Sequence, residues 1–538
     1  MTTTRPRLWP AIAIVSAAAL ALGWVWLSGG EQTGQDRTMR TVPIVFGAIV
    51  LLIVWFTLLS RLPRAIRIRA AIVGAALLTL AAGAVRIRGV TGDLVPILEW
   101  RWADRPVPSL ENLPPPAEPA PAKETASSTP AMETATAPKP AVDPAASFAG
   151  VEYPQYLGVN RDAVVPGARV ARDWSAHPPR LVWRRRVGAG WSGFAVKDAI
   201  AVTQEQRGEK EMIVAYNLAD GSPKWAHGDA AHYDTTVAGE GPRATPTISR
   251  GRVFTLGSTG ILNALDLATG RSLWRRTIGP DNDAPEPDWG RSSSPLAVDD
   301  LIVVSAGGSN GRSLVAYQRD TGEPVWRAGD DAASYSSPHL ATLAGVRQIL
   351  ILNQSTVFSH DPSTGRVLWQ HAWPRMQPSV AQPLLLPNDR VLFSAGYGIG
   401  SRMLQIARDD RGELQATMLW ESTRLKAKFT NLVVHGGFVY GLDDGVLVCL
   451  DPATGERRWK GGRYGHGQVI LAGDRLLVQS EEGELVLVEP NPQEHRELAR
   501  VTMFTQKTWN PPALAGRYLL VRNDVEAALF ELAVEREP

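Results

Sequence analysis

The sequence predicts an all-β fold, an eight-bladed β-propeller of four-stranded antiparallel blades, preceded by about three transmembrane α-helices and a disordered linker. Three observations carry that expectation. An eleven-residue phrase, ALDLATGRSLW, ends at Trp274 and recurs in altered spelling up to Trp225, Trp326, Trp369 and Trp459. Tryptophans at 183, 225, 274, 326, 369, 420 and 459 follow one another at 42, 49, 52, 43, 51 and 39 residues, the period of a propeller or solenoid. The first 105 residues, by contrast, are apolar with scattered arginines.

Residues 1–105 form the expected membrane anchor, with spans at about 11–27, 42–60 and 70–85. Roughly 20 helical residues cross a hydrocarbon core of about 30 Å. The second run meets that length, and Trp9, Trp24 and Trp26 flank the first at positions where indoles favour the interface. A cleaved secretory signal is the alternative reading of the first run. Arg61, Arg64, Arg67 and Arg69 between the second and third runs place that loop in the cytoplasm and the remainder of the chain outside it. The expected location is therefore the cytoplasmic (inner) membrane, with the repeats on its extracytoplasmic side. Residues 106–148 are rich in Pro and Ala and cannot bury a core, so they read as a semi-stiff spacer.

From 149 to 538 the chain repeats one grammar. Residues 244–277 show it: a short strand, a turn at Arg250–Gly251, a second strand, Gly257 to Gly260, the strand ILNALDL, a turn at Ala268 to Gly270, and the strand SLWRRT. Seven such units run at about 194–228, 244–277, 293–329, 336–372, 381–422, 429–462 and 466–501. The C-terminal piece supplies three strands, and PRLVWRRRV with Trp183 supplies the missing fourth. Pairing the two ends closes the ring and removes its exposed edges. Within the phrase, Asp266 or Asp451 caps a turn, Thr-Gly makes the bend, and the tryptophan lies flat between neighbouring sheets, its N–H needing a partner.

The pattern Ala264-x-Asp266-x-x-Thr269-Gly270-x-x-x-Trp274 resembles the tryptophan-docking motif of quinoprotein, or PQQ-like, propellers. Asp451, Thr454, Gly455 and Trp459 repeat it with Cys449 in the Ala place, and Asp361, Thr364, Gly365 and Trp369 with Ser359. Blade five carries an insertion before Trp420, and blade seven lacks the tryptophan. PQYLGVNRDAVVPG resembles the leader of PQQ-like repeat proteins. That superfamily includes PQQ-dependent dehydrogenases and BamB-type assembly propellers, so the resemblance implies the fold and leaves two functions open. Under the enzyme reading, the cofactors are PQQ and Ca²⁺, with a carboxylate taking the substrate proton. The single cysteine, Cys449, cannot form the vicinal disulfide of the soluble alcohol-oxidising members, and no stretch matches the calcium or catalytic-base motifs.

Other chemistry finds little footing. A net charge of +2 gives no basic face for nucleic acid. His227, His232 and Asp234 form a loose group read as an ordinary loop, with no metal site expected. Gly396 to Gly400 is a hairpin turn, because no helix follows. The starts of the inner strands bring Arg243, Ser293, Ser294, Tyr335, Ser336, Gln382, Lys428, Asn431, His466, Trp509 and Asn510 to one axis, where Arg243 and Lys428 suit a small anion or carboxylate. The sequence thus predicts a membrane-anchored extracytoplasmic propeller that is a binding or scaffold module without catalysis, with the bacterial membrane and envelope proteins as partners. A membrane-bound PQQ-dependent dehydrogenase, oxidising a sugar or alcohol and reducing quinone, is the alternative.

Overall fold

The computed structural model describes residues 8–28, 34–103, 113–116, 148, 150–374 and 378–535. Apart from 113–116 and 148, the expected spacer lies outside them. The chain divides into two compact units, one containing residues 1–106 and the other almost all of the rest.

In the first unit, three helices are long and apolar enough to cross a membrane: Trp9–Leu27, Gly34–Leu59 and Arg64–Ala84. Of the side chains described in these helices, Val25 alone is buried. The second begins eight residues before the apolar run expected at 42 and ends in a wide π turn, Trp55–Leu59. A hairpin not legible in the sequence follows the third, Val85–Val90 paired with Pro96–Trp100.

The second unit is the eight-bladed propeller. The inner strands are Ala195–Lys197, Thr247–Ser249, Leu296–Val298, His339–Leu343, Leu384–Leu386, Val433–His435, Gln468–Ala472 and Ala513–Ala515. Blade eight closes the ring as the sequence predicts. Ala513–Ala515, Tyr518–Arg522 and Glu526–Glu531 are completed by Arg180–Arg186, with Leu529 opposite Trp183. Buried Arg522 ties this closure to blade one, donating to Thr203 Oγ1, the Gln204 carbonyl and the Gly188 carbonyl.

The recurring phrase is the outer fastening between blades. Asp266 Oδ1 accepts the Thr269 N–H at 2.9 Å, and Gly270 turns the chain at φ +73°. The tryptophan of the preceding blade lies on that glycine: a Cβ on Gly270 would sit 2.4 Å from the Trp225 ring. Trp183 relates to Gly221 in the same way, Trp274 to Gly322, Trp326 to Gly365 and Trp420 to Gly455. Each indole N–H donates to a carbonyl of the next blade's turn: Trp183 to Leu218, Trp225 to Leu267, Trp274 to Arg319, Trp326 to Pro362, Trp420 to Pro452 and Trp459 to Asn491. Trp369 differs and donates to Gln348 Oε1 of its own blade. Blade five explains why: its outer hairpin, Gly400–Arg408 with Leu414–Ser422, is nine residues a side and carries its turn beyond the reach of Trp369.

The leader fills part of the central channel. Glu152–Tyr153 pairs antiparallel with the inner strand of blade one, and Val164–Val165 pairs parallel with that of blade seven. Between them, residues 154–163 turn back inside the ring, with Leu157, Arg161 and Ala163 at positive φ.

Candidate functional site

At the channel mouth, where the inner strands begin, the side chains expected on one axis divide into two sets. The first set joins blades. Gly193 N–H donates to Thr245 Oγ1, Thr245 N–H to Ser294 Oγ, and Ser294 N–H to Ser337 Oγ. The Gln382 side-chain amide pairs with both the N–H and the carbonyl of Ser337, and Gln382 N–H donates to Asn431 Oδ1. Gln468 Nε2 bridges the Phe429 and Trp509 carbonyls, and Asn510 Nδ2 reaches back to Gly190 and Ser192 of blade one. The clasp spans all eight junctions. Ser294, Gln382, Asn431 and Asn510 are thereby committed to holding the ring, and Ser336 Oγ donates to the Leu352 carbonyl. Ser293 is buried with its hydroxyl unpartnered. A buried donor or acceptor committed in this way is not open to a ligand without the cost of an orphaned group.

The second set is aromatic and cationic, with Arg243, Tyr335 and Trp509 partly exposed and Lys428 and His466 buried. Trp191, Trp509 and Phe429 touch in sequence, with ring centroids 5.1 Å apart at each step. Lys507 Nζ lies 3.8 Å from the Trp509 centroid and 4.7 Å from that of Trp191. Lys428 Nζ stands between Phe429 and Tyr397, at 5.6 and 4.6 Å. Tyr397 meets Trp289 at 6.2 Å, and Trp289 stacks on Tyr335 at 5.1 Å. Arg243 lies over Tyr233, whose hydroxyl donates to the Asp288 carbonyl. The result is an arc of π faces drawn from blades one, four, five, six and eight and from the loops before blades two and three. Most of its members are half-buried, so parts of these rings face solvent.

The carboxylates beside this arc are partly engaged, with Glu211 Oε2 and Asp444 Oδ2 making no hydrogen bond among the described residues. Glu481 accepts the Trp509 indole N–H on Oε1 and the His466 backbone N–H on Oε2. Asp443 holds Lys426 at 2.6 Å and also Lys460, and Asp444 lies 3.5 Å from Lys426. Glu211 accepts the Ser258 N–H, and burial pushes its carboxyl above the usual range. Burial also brings the Arg243 guanidinium down to about 10. His466 is buried against the Phe429 ring.

Of the sequence-predicted residues, Arg243, Tyr335, Lys428, His466 and Trp509 share the mouth. Sequence reasoning missed Trp191, Tyr233, Trp289, Tyr397, Phe429, Lys507 and Glu481. Trp191 and Phe429 stand at strand starts already singled out, but Trp289 and Tyr397 come from loops whose place over the axis has no periodic signal. His227, His232 and Asp234 do not converge: His232 Nδ1 bonds the Gly208 carbonyl, and His227 lies on an outer strand. Among the described residues, no three His, Cys, Asp or Glu side chains come together to hold a metal.

This fold, with tryptophan-docked blades closed across the two ends of the repeat, defines a PQQ-like eight-bladed propeller. A family model described as "Outer membrane protein assembly factor BamB" matches residues 156–286 and 210–461, more than half of the chain, and the chain belongs to that family. An outer membrane protein assembly factor BamB of Shewanella oneidensis is 24% identical over 343 residues, covering 58% of this chain and 78% of that one. The quinoprotein ethanol dehydrogenase of Pseudomonas putida is 26% identical over 175 residues, 29% of this chain and 26% of the enzyme. The quinohemoprotein alcohol dehydrogenase of Comamonas testosteroni superposes with a TM-score of 0.53 at 13% identity, covering 73% of this chain and 85% of the enzyme; that likeness shows the fold alone.

The donor set does not fit calcium-bound PQQ. Such a site needs clustered hard oxygen ligands and a carboxylate placed to take a proton. Here the mouth carboxylates are spread over separate blades and bonded to indole, backbone and lysine groups.

Proposed function

We propose that the protein is a membrane-anchored envelope propeller acting as a binding or scaffold module, with the aromatic and cationic arc at its mouth as the recognition surface. The carrying observation is the composition of that arc. Trp, Tyr and Arg are the side chains that dominate binding energy at protein interfaces, because they bury large area at low entropic cost. Here Trp289, Tyr335, Tyr397, Phe429, Trp509 and Arg243 are gathered at one end, with Trp509 held by Glu481. Resemblance to assembly factors of the outer membrane supports an envelope protein as partner. Three apolar helices, with four arginines between the second and third, support anchorage in the cytoplasmic membrane and a propeller outside it.

The test compares the wild-type protein with Trp509→Ala and Trp289→Ala in lipid nanodiscs. Envelope proteins cross-linked through the mouth should be lost from both variants while the thermal unfolding midpoint of each propeller is kept. The same wild-type sample is titrated with PQQ and Ca²⁺ and supplied with sugars and alcohols. Reduction of an electron-accepting dye in that sample overturns the reading in favour of a dehydrogenase.

A further inference from the structure

The end of the channel opposite the mouth holds a second candidate site, independent of the first. The leader covers the inner strands of blades seven and one, and its Pro154 carbonyl accepts the Ile248 N–H of blade two. The inner strands of blades three to six are left uncovered. Between them and the leader lies a cavity of about 580 Å³, within the range of pockets that enclose small organic ligands. Leu157, Leu296, Leu384, Leu385 and Leu432 supply its apolar wall.

Two buried polar groups on the lining lack the partners their chemistry requires. Arg161, 2% exposed, donates to Gln155 Oε1, the Pro295 carbonyl and the Ser294 carbonyl, all neutral oxygens, while its Nε has no hydrogen-bond partner. Among the described residues, no carboxylate pairs with this guanidinium. Its neighbour Asp162, also on the wall, instead accepts the Val164 N–H. His339, also 2% exposed, has an unpartnered Nδ1, and burial together with Arg161 brings its imidazole down to about 3. His339 is therefore neutral at physiological pH and carries one N–H to donate.

A buried charge is ordinarily paired, because an uncompensated one costs several kcal/mol of lost hydration. Arg161 is fixed where it stands: its backbone is left-handed at φ +59°, and three carbonyl-type oxygens hold its guanidinium. The missing element is an anion. The leucines beside this cationic floor suit an anion with a compact hydrocarbon body, while Asn160, Thr342 and Asn431 on the same lining can take up its polar substituents. We propose that this cavity binds a small organic carboxylate, its anionic group at Arg161 and His339 and its apolar body against the leucines. A free acid and the C-terminal carboxylate of a short apolar peptide share this chemistry.

The test uses the full chain in nanodiscs and isothermal titration calorimetry. The free-acid arm is 3-phenylpropanoate against its neutral isostere 3-phenylpropanamide. The peptide arm is acetyl-Ala-Phe against the same peptide amidated. At least one carboxylate should bind, with its amide about tenfold weaker or more, the worth of a charge-assisted hydrogen bond. The tighter of the two carboxylates identifies the source. Arg161→Gln should remove the preference for acid over amide. Ala297→Phe, which narrows the cavity from its blade-three wall, should weaken binding by a similar factor with the unfolding midpoint kept. If Arg161→Gln does not fold, Ala297→Phe and the acid-to-amide ratio decide. Equal binding of acid and amide, no binding of either carboxylate, or full affinity in Ala297→Phe overturns the proposal.

Discussion

Most neighbouring blades are joined twice, at the rim and near the axis, and the two joints are written in the sequence differently. At the rim, one device recurs: a tryptophan lies on the glycine of the next blade's turn and donates to a carbonyl of that turn. Near the axis, the joint is a hydroxyl at one junction, a glutamine or asparagine amide at another. The rim joint has one geometric solution, because only glycine tolerates both φ +73° and a flat ring 2.4 Å from where Cβ would be. The axial joint needs only a donor or acceptor within reach of a backbone group, so its identity drifts. A motif repeats where geometry is exacting and disappears where chemistry alone suffices.

The rim joint should carry more stability. Trp225 is fully buried, and Trp225→Ala would leave a cavity against Gly270 and orphan the Leu267 carbonyl. A loss of about 3–5 kcal/mol is expected, read as the shift in urea denaturation free energy of the propeller. An unchanged midpoint would show that the indole is not what fastens blades one and two. At the axis, Ser294→Ala removes the acceptor of the Thr245 N–H and keeps the volume nearly constant. Its expected cost is about 1–3 kcal/mol, the desolvation of one orphaned amide. If Ser294→Ala costs as much as Trp225→Ala, the ranking of the two joints is reversed.

The same contrast governs what could be read beforehand. Blade count, ring closure through Trp183 and the docking tryptophans were legible, because they depend on turns and periodic indoles that the chain must repeat. Of the eleven residues expected at the mouth, Arg243, Tyr335 and Trp509 stay partly exposed, Lys428 and His466 are buried beside them, and the other six are buried in the ring. Ser294, Gln382, Asn431 and Asn510 are indistinguishable in sequence from ligand donors, since a blade-to-blade clasp and a binding site ask for the same side chains. Arg161 belongs to the leader phrase PQYLGVNRDAVVPG and carries no signal of its own. Its burial follows from residues 154–163 turning inside the ring, a tertiary event without local signal.

The exception at the rim separates the indole's two contributions, its area and its N–H. Trp369 is buried like its counterparts but donates to Gln348 Oε1 within its own blade, at 2.6 Å. That oxygen also accepts from Ser359 Oγ at 2.7 Å, so removing the indole N–H leaves it satisfied. The Leu267 carbonyl has no comparable second donor among the described residues once Trp225 loses its N–H. Trp369→Phe should therefore cost about 0.5–1 kcal/mol beyond the difference in ring size, and Trp225→Phe about 1–2 kcal/mol. A double-mutant cycle sharpens the distinction. Gln348→Leu should be additive with Trp225→Phe and non-additive with Trp369→Phe. Additivity in both backgrounds would show that the bond to Gln348 contributes nothing and that blade five is held to blade four by ring area alone.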